Sequence, residues 1–288
     1  QRSVGGNTAF FMGEVARIAW KSYFPLVYFF KIPVPFHILT LLTVAMGFKA
    51  IFNRIKSNPF SISTQSFTVF AALLYIAIYS TSSILSNLNI GVRHLMPILP
   101  FAILLVSYGI SLWLKSGNIP PLASLDRKLD LFKYYPKLGL KLLLILPLFI
   151  WYIGSTIIAW PHYIAWYNEL AGFKGGGQAI AVDSNLDWGQ DLRRLAEYVE
   201  KNNIDKIYFD YFGTAPAQYY LDEKFENWNP FQKKPRPSGW FAVSASIKSE
   251  GCATPTKGFD ETRDHYCWLN DYNPVTAIGN SIYIYDLP

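Results

Sequence analysis

Four apolar runs mark the first 160 residues, and the pattern changes after them. The first covers about 32–52, extended at its start by the aromatic stretch 23–30. The others are 67–85, 97–114 and 142–160, all without charge. Crossing roughly 30 Å of hydrocarbon takes about 17–25 helical residues, so each run is long enough. Buried soluble helices are the competing explanation, but four such runs in succession leave too few polar positions to solvate a soluble fold. Beyond about 178 the runs shorten. Ala179–Val182 predicts a short strand ending at Asp183. Leu192, Leu195, Ala196 and Val199 then recur at helical spacing between Arg193, Arg194, Glu197 and Glu200. Lys206–Phe212 alternates like a strand, and Trp240–Ser246 and Ser281–Tyr285 read the same way. Strand, helix and strand in close succession form a βαβ unit, which favours a parallel sheet. The stretch 222–238, with Pro230, Pro235 and Pro237, predicts a loop. The expected architecture is an α-helical multi-pass membrane region of about four transmembrane helices, followed by a soluble α/β domain with a mostly parallel sheet. Its parts are an interfacial segment 1–31, a membrane region 32–160 and a soluble domain 161–288.

Charge sharpens this division. Only 16% of the 288 residues are charged, against about 25% in ordinary soluble domains. The net charge of +6 conceals +11 over residues 1–160 (14 basic, 3 acidic) and −5 over 161–288 (12 basic, 17 acidic). A basic apolar half joined to an acidic half argues for a membrane part and a water-soluble part, and against nucleic-acid binding. Lys and Arg in short loops set orientation. Lys49, Arg54 and Lys56 flank or occupy the first connection, and Lys115, Arg127, Lys128, Lys133, Lys137 and Lys141 the third. The second, 86–96, carries only Arg93. The first and third are therefore expected on the cytoplasmic side, with residues 1–31 and 161–288 outside. Trp151, Trp160, Tyr163, Trp166 and Tyr167 cluster at the end of the fourth run, where amphipathic rings suit an outer headgroup level.

Residue 1 is Gln, and no basic stretch, apolar core and cleavage site follow it. The first 30 residues read as the middle of a protein, so further sequence is expected upstream. The soluble part holds Cys252 and Cys267. An outside location is oxidising and permits a disulfide, and two free thiols are the alternative. Two cysteines with His265 lack zinc-ligand spacing.

Asp183-Ser-Asn-Leu-Asp-Trp-Gly-Gln-Asp191 is the densest polar cluster, placed by the expected strand and helix where open α/β sheets bind ligands. Asp183, Asn185 and Asp187 alternate like a calcium loop. However, Trp188 stands at the sixth position and Arg194 at the twelfth, where such a loop needs Gly and a bidentate Glu. Asp187 and Gln190 have the spacing of a capping box, and Asp191 adds charge to the first helical turn. Asp183, Asn185, Asp187, Trp188 and Gln190 are the candidate substrate, acceptor or interface residues. A second cluster is Asn89-Ile-Gly-Val-Arg-His-Leu-Met-Pro97, where Arg93 and His94 enter the third apolar run. Arginine is costly at a membrane edge unless it snorkels or meets an anion, and its planar fork suits phosphate. Lys31, in an apolar context beside Pro33 and Pro35, is a third candidate. Glu14 and Arg17 are spaced for an ion pair on a short amphipathic stretch.

The order Lys31-Ile-Pro-Val-Pro, the 89–97 string, Tyr163-Ile-Ala-Trp-Tyr-Asn-Glu-Leu-Ala-Gly172 and Asp183–Leu192 resembles the C-terminal half of bacterial polytopic glycosyltransferases of the C-type superfamily. Protein mannosyltransferases that use dolichyl-phosphate-mannose are relatives of these. The resemblance covers nearly the whole chain. It implies a multi-pass bacterial inner-membrane protein that moves a sugar from a polyprenyl-phosphate carrier to an extracytoplasmic glycan, lipid or protein acceptor. It implies a catalytic carboxylate upstream of Gln1, so that this portion alone is inactive, and it assigns the lipid phosphate to Arg93 and Lys31, with His94 supporting. No cofactor is read from these residues; some relatives use a divalent cation, which leaves metal dependence open. The alternative is a membrane-anchored α/β module that binds a glycan or partner without chemistry. A transporter would show charged or broken segments in repeated halves, which the last three runs lack.

Overall fold

The computed structural model describes residues 7–57, 64–116, 136–172, 176–232 and 234–288. Arg127, Lys128 and Lys133, part of the basic loop used for orientation, lie outside the described residues. The chain divides into two compact units, one of Gln1–Lys31, Ser83–His94 and Pro161–Pro288, the other of Ile32–Ser82 and Leu95–Trp160.

The second unit is helical. Its helices are Val34–Ser57, Thr64–Leu85, Leu99–Lys115 and Pro136–Ala159. Three stretches, Ser66–Leu85, Val92–Lys115 and Leu138–Ala159, are long and apolar enough to cross a membrane. The first predicted run does not form one helix from Tyr23 onward. It breaks at Ile32 and Pro33, between the helices Tyr23–Lys31 and Val34–Ser57. A proline pushes the residue before it out of the helical region and donates no N–H, so the break belongs where Pro33 stands. Phe36, Leu39, Val106, Ile110 and Ile145 form the core of this unit. Phe67, Phe70, Leu73 and Ile78, by contrast, face outward. Gly109 sits directly against the Thr43 side chain, so the backbones approach closely there, as small residues allow between apolar helices. Lys141 Nζ donates to Trp113 O at 2.5 Å and Ser116 O at 2.6 Å, satisfying carbonyls at the end of Leu99–Lys115.

The first unit carries two sheets. Strands β1 (Ala9–Phe11) and β2 (Glu14–Ala16) form a hairpin, and β2 pairs in parallel with β6 (Thr254–Thr256). The amphipathic stretch 14–17 is therefore strand up to Ala16 and a bend at Arg17. Glu14 accepts from Trp20 Nε1 at 3.3 Å, while Arg17 pairs with Glu261 at 3.5 Å, so the expected Glu14–Arg17 pair does not form.

The larger sheet is mixed, which corrects the expectation of a mostly parallel one. Its order is β4 (Phe225–Asn227), β3 (Ile207–Asp210), β5 (Gly239–Ser244), β8 (Ile282–Leu287) and β7 (Thr276–Ile278). The β4–β3 and β3–β5 pairs are parallel, whereas β5–β8 and β8–β7 are antiparallel. The last hairpin turns on Gly279 and Asn280, both with positive φ (59° and 62°), within the three residues 279–281 between the paired Ile278 and Ile282. The predicted strand at Ala179–Val182 does not form. Gly176–Ile180 is helical, and the Ile180 and Ala181 carbonyls accept from Met12 N–H and the Tyr167 hydroxyl instead of a ladder. The crossover runs instead from β3 through Ala217–Leu221 to β4. The predicted loop 222–238 thus contains a strand. The helix Leu192–Lys201 lays Leu192, Leu195 and Val199 onto Ile207, Phe209, Ala242 and Ile284, and keeps the Arg193–Glu197 pair (3.1 Å) in solvent.

Gly109→Val should push Thr43 aside and cost about 1–3 kcal/mol by overpacking. Thermal unfolding of the detergent-solubilised chain should show a lower midpoint than wild type; an unchanged midpoint would remove the close approach from the helical core.

Candidate functional site

The first unit brings together two of the three predicted clusters. Asn185 is the hinge of the arrangement. Its side chain is buried, Oδ1 accepts from Val92 N–H at 2.9 Å, and Nδ2 donates to the Tyr23 hydroxyl at 2.8 Å and Val182 O at 3.2 Å. The Ser184 hydroxyl donates to Ile90 O. A side chain at Gly91 would run into Ser184 Oγ and Asn185 Oδ1. The strings 89–94 and 183–188 therefore pack backbone against side chain, and the position of each is set by the other.

Arg93 emerges from this junction. Its guanidinium lies 4.6 Å from the Trp188 ring centroid and makes no hydrogen bond or ion pair among the described residues. Trp188 is itself half-exposed, and its Nε1 donates to Ser184 O at 3.2 Å, which fixes the ring under the cation. A guanidinium over a ring retains N–H donors whose planar fork suits an anion that accepts two hydrogen bonds. Arg93 is also the second residue of the apolar stretch Val92–Lys115. His94 follows, its ring edge-on to Phe24 at 6.5 Å. Asp183 sits beside the pair, with its N–H on Ser246 Oγ at 3.1 Å and its φ at 54°. Burial pushes its carboxyl above the ordinary range, opposed by the Ser184 N–H and the Arg93 charge.

Lys31 is used differently from what was expected of it. Its ammonium donates to Ile164 O and Trp166 O, each at 2.7 Å, and lies 4.0 Å from the Tyr167 ring centroid. Asn168 answers from the same stretch, its N–H on Phe30 O at 2.8 Å and Nδ2 on Phe29 O at 2.6 Å. The 163–172 string thus caps the end of the Tyr23–Lys31 helix, and Lys31 is committed to that cap. Tyr167, expected in an interfacial belt, is buried with its hydroxyl on Ala181 O, whereas Trp160 and Tyr163 are exposed.

The expected capping box does not cap the helix. Asp187 Oδ1 accepts from Gly189 N–H and Gln190 Oε1 from Trp188 N–H, both at 2.7 Å, so these side chains close a turn before the helix starts at Leu192. The helix N-cap is Asp191, whose side chain turns away from the helix backbone. Fully buried, it accepts from Ser281 Oγ at 2.7 Å and from Arg194 Nη1, with His162 Nδ1 at 3.8 Å. Asp187 Oδ2 is buried without a hydrogen bond among the described residues, although the Ser244 hydroxyl lies near the carboxyl. Burial pushes the Asp187 pKa up to about 7; the Gly189 N–H and Ser244 pull it down, and Asp191 and Asp183 push it further up.

Cys252 and Cys267 are joined as a disulfide. Among the described residues no three His, Cys, Asp or Glu side chains gather as metal ligands. Tyr23 and Ser246, which position Asn185 and Asp183, were not anticipated. One is an unremarked aromatic in an apolar helix; the other ends the expected strand Trp240–Ser246, but the strand stops at Ser244 and Ser246 lies in the helix Ala245–Glu250.

The folded chain holds the Asp187 proton more tightly than the unfolded chain. Its contribution to stability is therefore complete below the ordinary carboxylate value and is lost as pH rises through about 7. Thermal midpoints measured from pH 5 to 8 should fall for wild type and fall less steeply for Asp187→Asn. Parallel curves would show the carboxyl already ionised at the lower pH. No family model matches the chain, and neither a curated protein nor a solved structure matches it.

Proposed function

We propose that this chain is the C-terminal portion of an integral-membrane glycosyltransferase that uses a polyprenyl-phosphate-linked sugar, and that Arg93 receives the lipid phosphate. The observation that carries this reading is the guanidinium, unpaired among the described residues, held against Trp188 at the start of an apolar, span-length stretch. An arginine in that setting snorkels or meets an anion, and a lipid phosphate brings an anion to the headgroup level. Three apolar helices support insertion in a membrane. The disulfide and the sparse positive charge of the 86–96 connection support an extracytoplasmic site.

In this scheme the acceptor hydroxyl attacks the anomeric carbon and the bond from that carbon to the phosphate oxygen breaks. The electron pair leaves on the polyprenyl phosphate, and the acceptor proton passes to a general base outside the residues assigned here. Charge grows on the departing phosphate, which is where a preorganised cation lowers the barrier. Arg93 supplies that charge, Trp188 and Asn185 orient it, and Asp183 lies at the sugar side. Lys31 is a positioning residue of the 163–172 cap. His94 neighbours the phosphate position.

Undecaprenyl phosphate binding to the chain in lipid nanodiscs tests this. Arg93→Ala should weaken binding by about tenfold or more, and Arg93→Lys should restore part of it, since a lysine keeps the charge but not the fork. Neutral undecaprenol and inorganic phosphate should bind wild type far more weakly, which separates a lipid phosphate from either half of it. Equal affinity of wild type and Arg93→Ala for undecaprenyl phosphate refutes the assignment.

A further inference from the structure

A cavity of about 330 Å³ opens at the C-terminal edge of the parallel strands β3 and β5, lined by Asp210, Asn229, Phe231, Glu250, Arg263 and Tyr266 among others. Asp210 is the last residue of β3, and Glu250 ends the helix Ala245–Glu250 that follows β5. Ligands collect at this edge because loops and helix ends diverge there. The volume lies at the small end of ordinary small-molecule sites, roughly 300–1,000 Å³. The walls are fixed. The Cys252–Cys267 disulfide ties together the segments that supply Gly251 and Tyr266, and Tyr266 N–H donates to Gly251 O at 3.1 Å.

The polar groups of the cavity are largely unspent. Arg263 Nε is buried with no acceptor among the described residues, while its Nη2 lies 4.0 Å from Glu261 Oε2 at the edge of the group. Asn229 accepts from Phe231 N–H at 3.1 Å through Oδ1, and its Nδ2 has no partner among the described residues. The Glu250 carboxyl makes no hydrogen bond among the described residues, while Asp210 accepts from the Tyr266 hydroxyl. Phe231 is 71% exposed, an apolar ring standing at the rim with its edge to His265 at 4.8 Å. Donors, acceptors and an apolar ring face are thus offered together.

Charge narrows the ligand. Two carboxyls disfavour an anion. Arg263 disfavours a cation, and burial holds the Glu250 carboxyl up at about 7, with Asp183 pushing the same way and Arg263 opposing, and also raises Asp210. A neutral ligand rich in hydroxyls, with a flat C–H face for the ring, uses every group without an uncompensated charge. We propose that this cavity binds a single hexose-sized sugar unit, with Glu250, Asn229 and Arg263 on its hydroxyls and Phe231 against its C–H face. The inference stands on this cavity alone and is independent of the Arg93 assignment.

The test titrates the whole chain in detergent with methyl glycosides of mannose, glucose, galactose and N-acetylglucosamine, by calorimetry and saturation-transfer NMR. At least one glycoside should bind wild type, with transfer strongest at the ring C–H protons. Phe231→Ala, on an exposed ring, and Asn229→Ala should each weaken it about tenfold. Circular dichroism identical to wild type establishes that both variants fold. No binding by wild type up to about 50 mM of any glycoside, or binding undiminished in both variants, overturns the proposal. So does inorganic phosphate that binds where glycosides do not and is lost in Arg263→Ala. The undecaprenyl phosphate assay uses another probe and another variant, so either assignment can fail alone.

Discussion

Three chain segments far apart in sequence converge on one buried amide, the side chain of Asn185. Val92 N–H, the Tyr23 hydroxyl and Val182 O all bond to it. A buried amide is tolerated only when its donors and acceptor are met, because an orphaned polar group in the interior costs about as much as a hydrogen bond contributes. Here one oxygen and one nitrogen serve three partners, so displacing any one segment leaves groups unmet on the others. The turn Asp183–Asn185 in turn presents Ser184 O to Trp188, and Trp188 carries Arg93. The orientation of the exposed cation therefore traces back through a ring and a carbonyl to a side chain that no solvent reaches.

Long-period features were legible in the sequence and pairwise ones were not. The apolar runs, the helix at Leu192 and the strands near 207, 240 and 282 follow from periodicity, since burial of one face selects them directly. Ala179–Val182 failed because four apolar residues fit a strand and a buried turn equally well; the choice was made by Met12 and Tyr167, which claim its carbonyls. The mixed sheet was readable in part. Gly279-Asn280 between two short runs is a hairpin signal, and a C-terminal hairpin cannot extend a sheet in parallel only. The site was half legible: the 89–94 and 183–191 strings stood out as dense polar segments, but their packing together has no local signature. The cavity under the disulfide was the least visible, because Asp210, Asn229, Glu250 and Arg263 come from four separate elements or loops.

Lys31 and Lys141 show why a cation in an apolar context is a weak predictor of an anion site. Both ammonium groups turn to backbone carbonyls, at 2.7 Å for Lys31 and 2.5–2.6 Å for Lys141. Lys141 reaches carbonyls that a helix end leaves without intrahelical partners, and Lys31 reaches loop carbonyls of the 163–172 string, each on a flexible four-carbon stem. Each lysine also lies near an aromatic ring, Tyr167 and Trp113 respectively. The same sequence pattern thus resolves into a capping role when orphan carbonyls are in reach.

Arg93 follows the opposite course for a geometric reason. It stands at the beginning of its helical stretch, in the 3-10 turn Val92–Ile98, where the unpaired backbone groups are N–H donors and offer a cation nothing. Of those donors, Val92 N–H goes to Asn185 Oδ1, so the local acceptor is spent as well. The guanidinium carbon lies over the neighbouring ring, a contact that leaves the charge intact. A helix start gathers positive potential of its own, and Arg93 adds to it with no carboxylate bonded to the guanidinium among the described residues, so its local partners are a ring face and solvent.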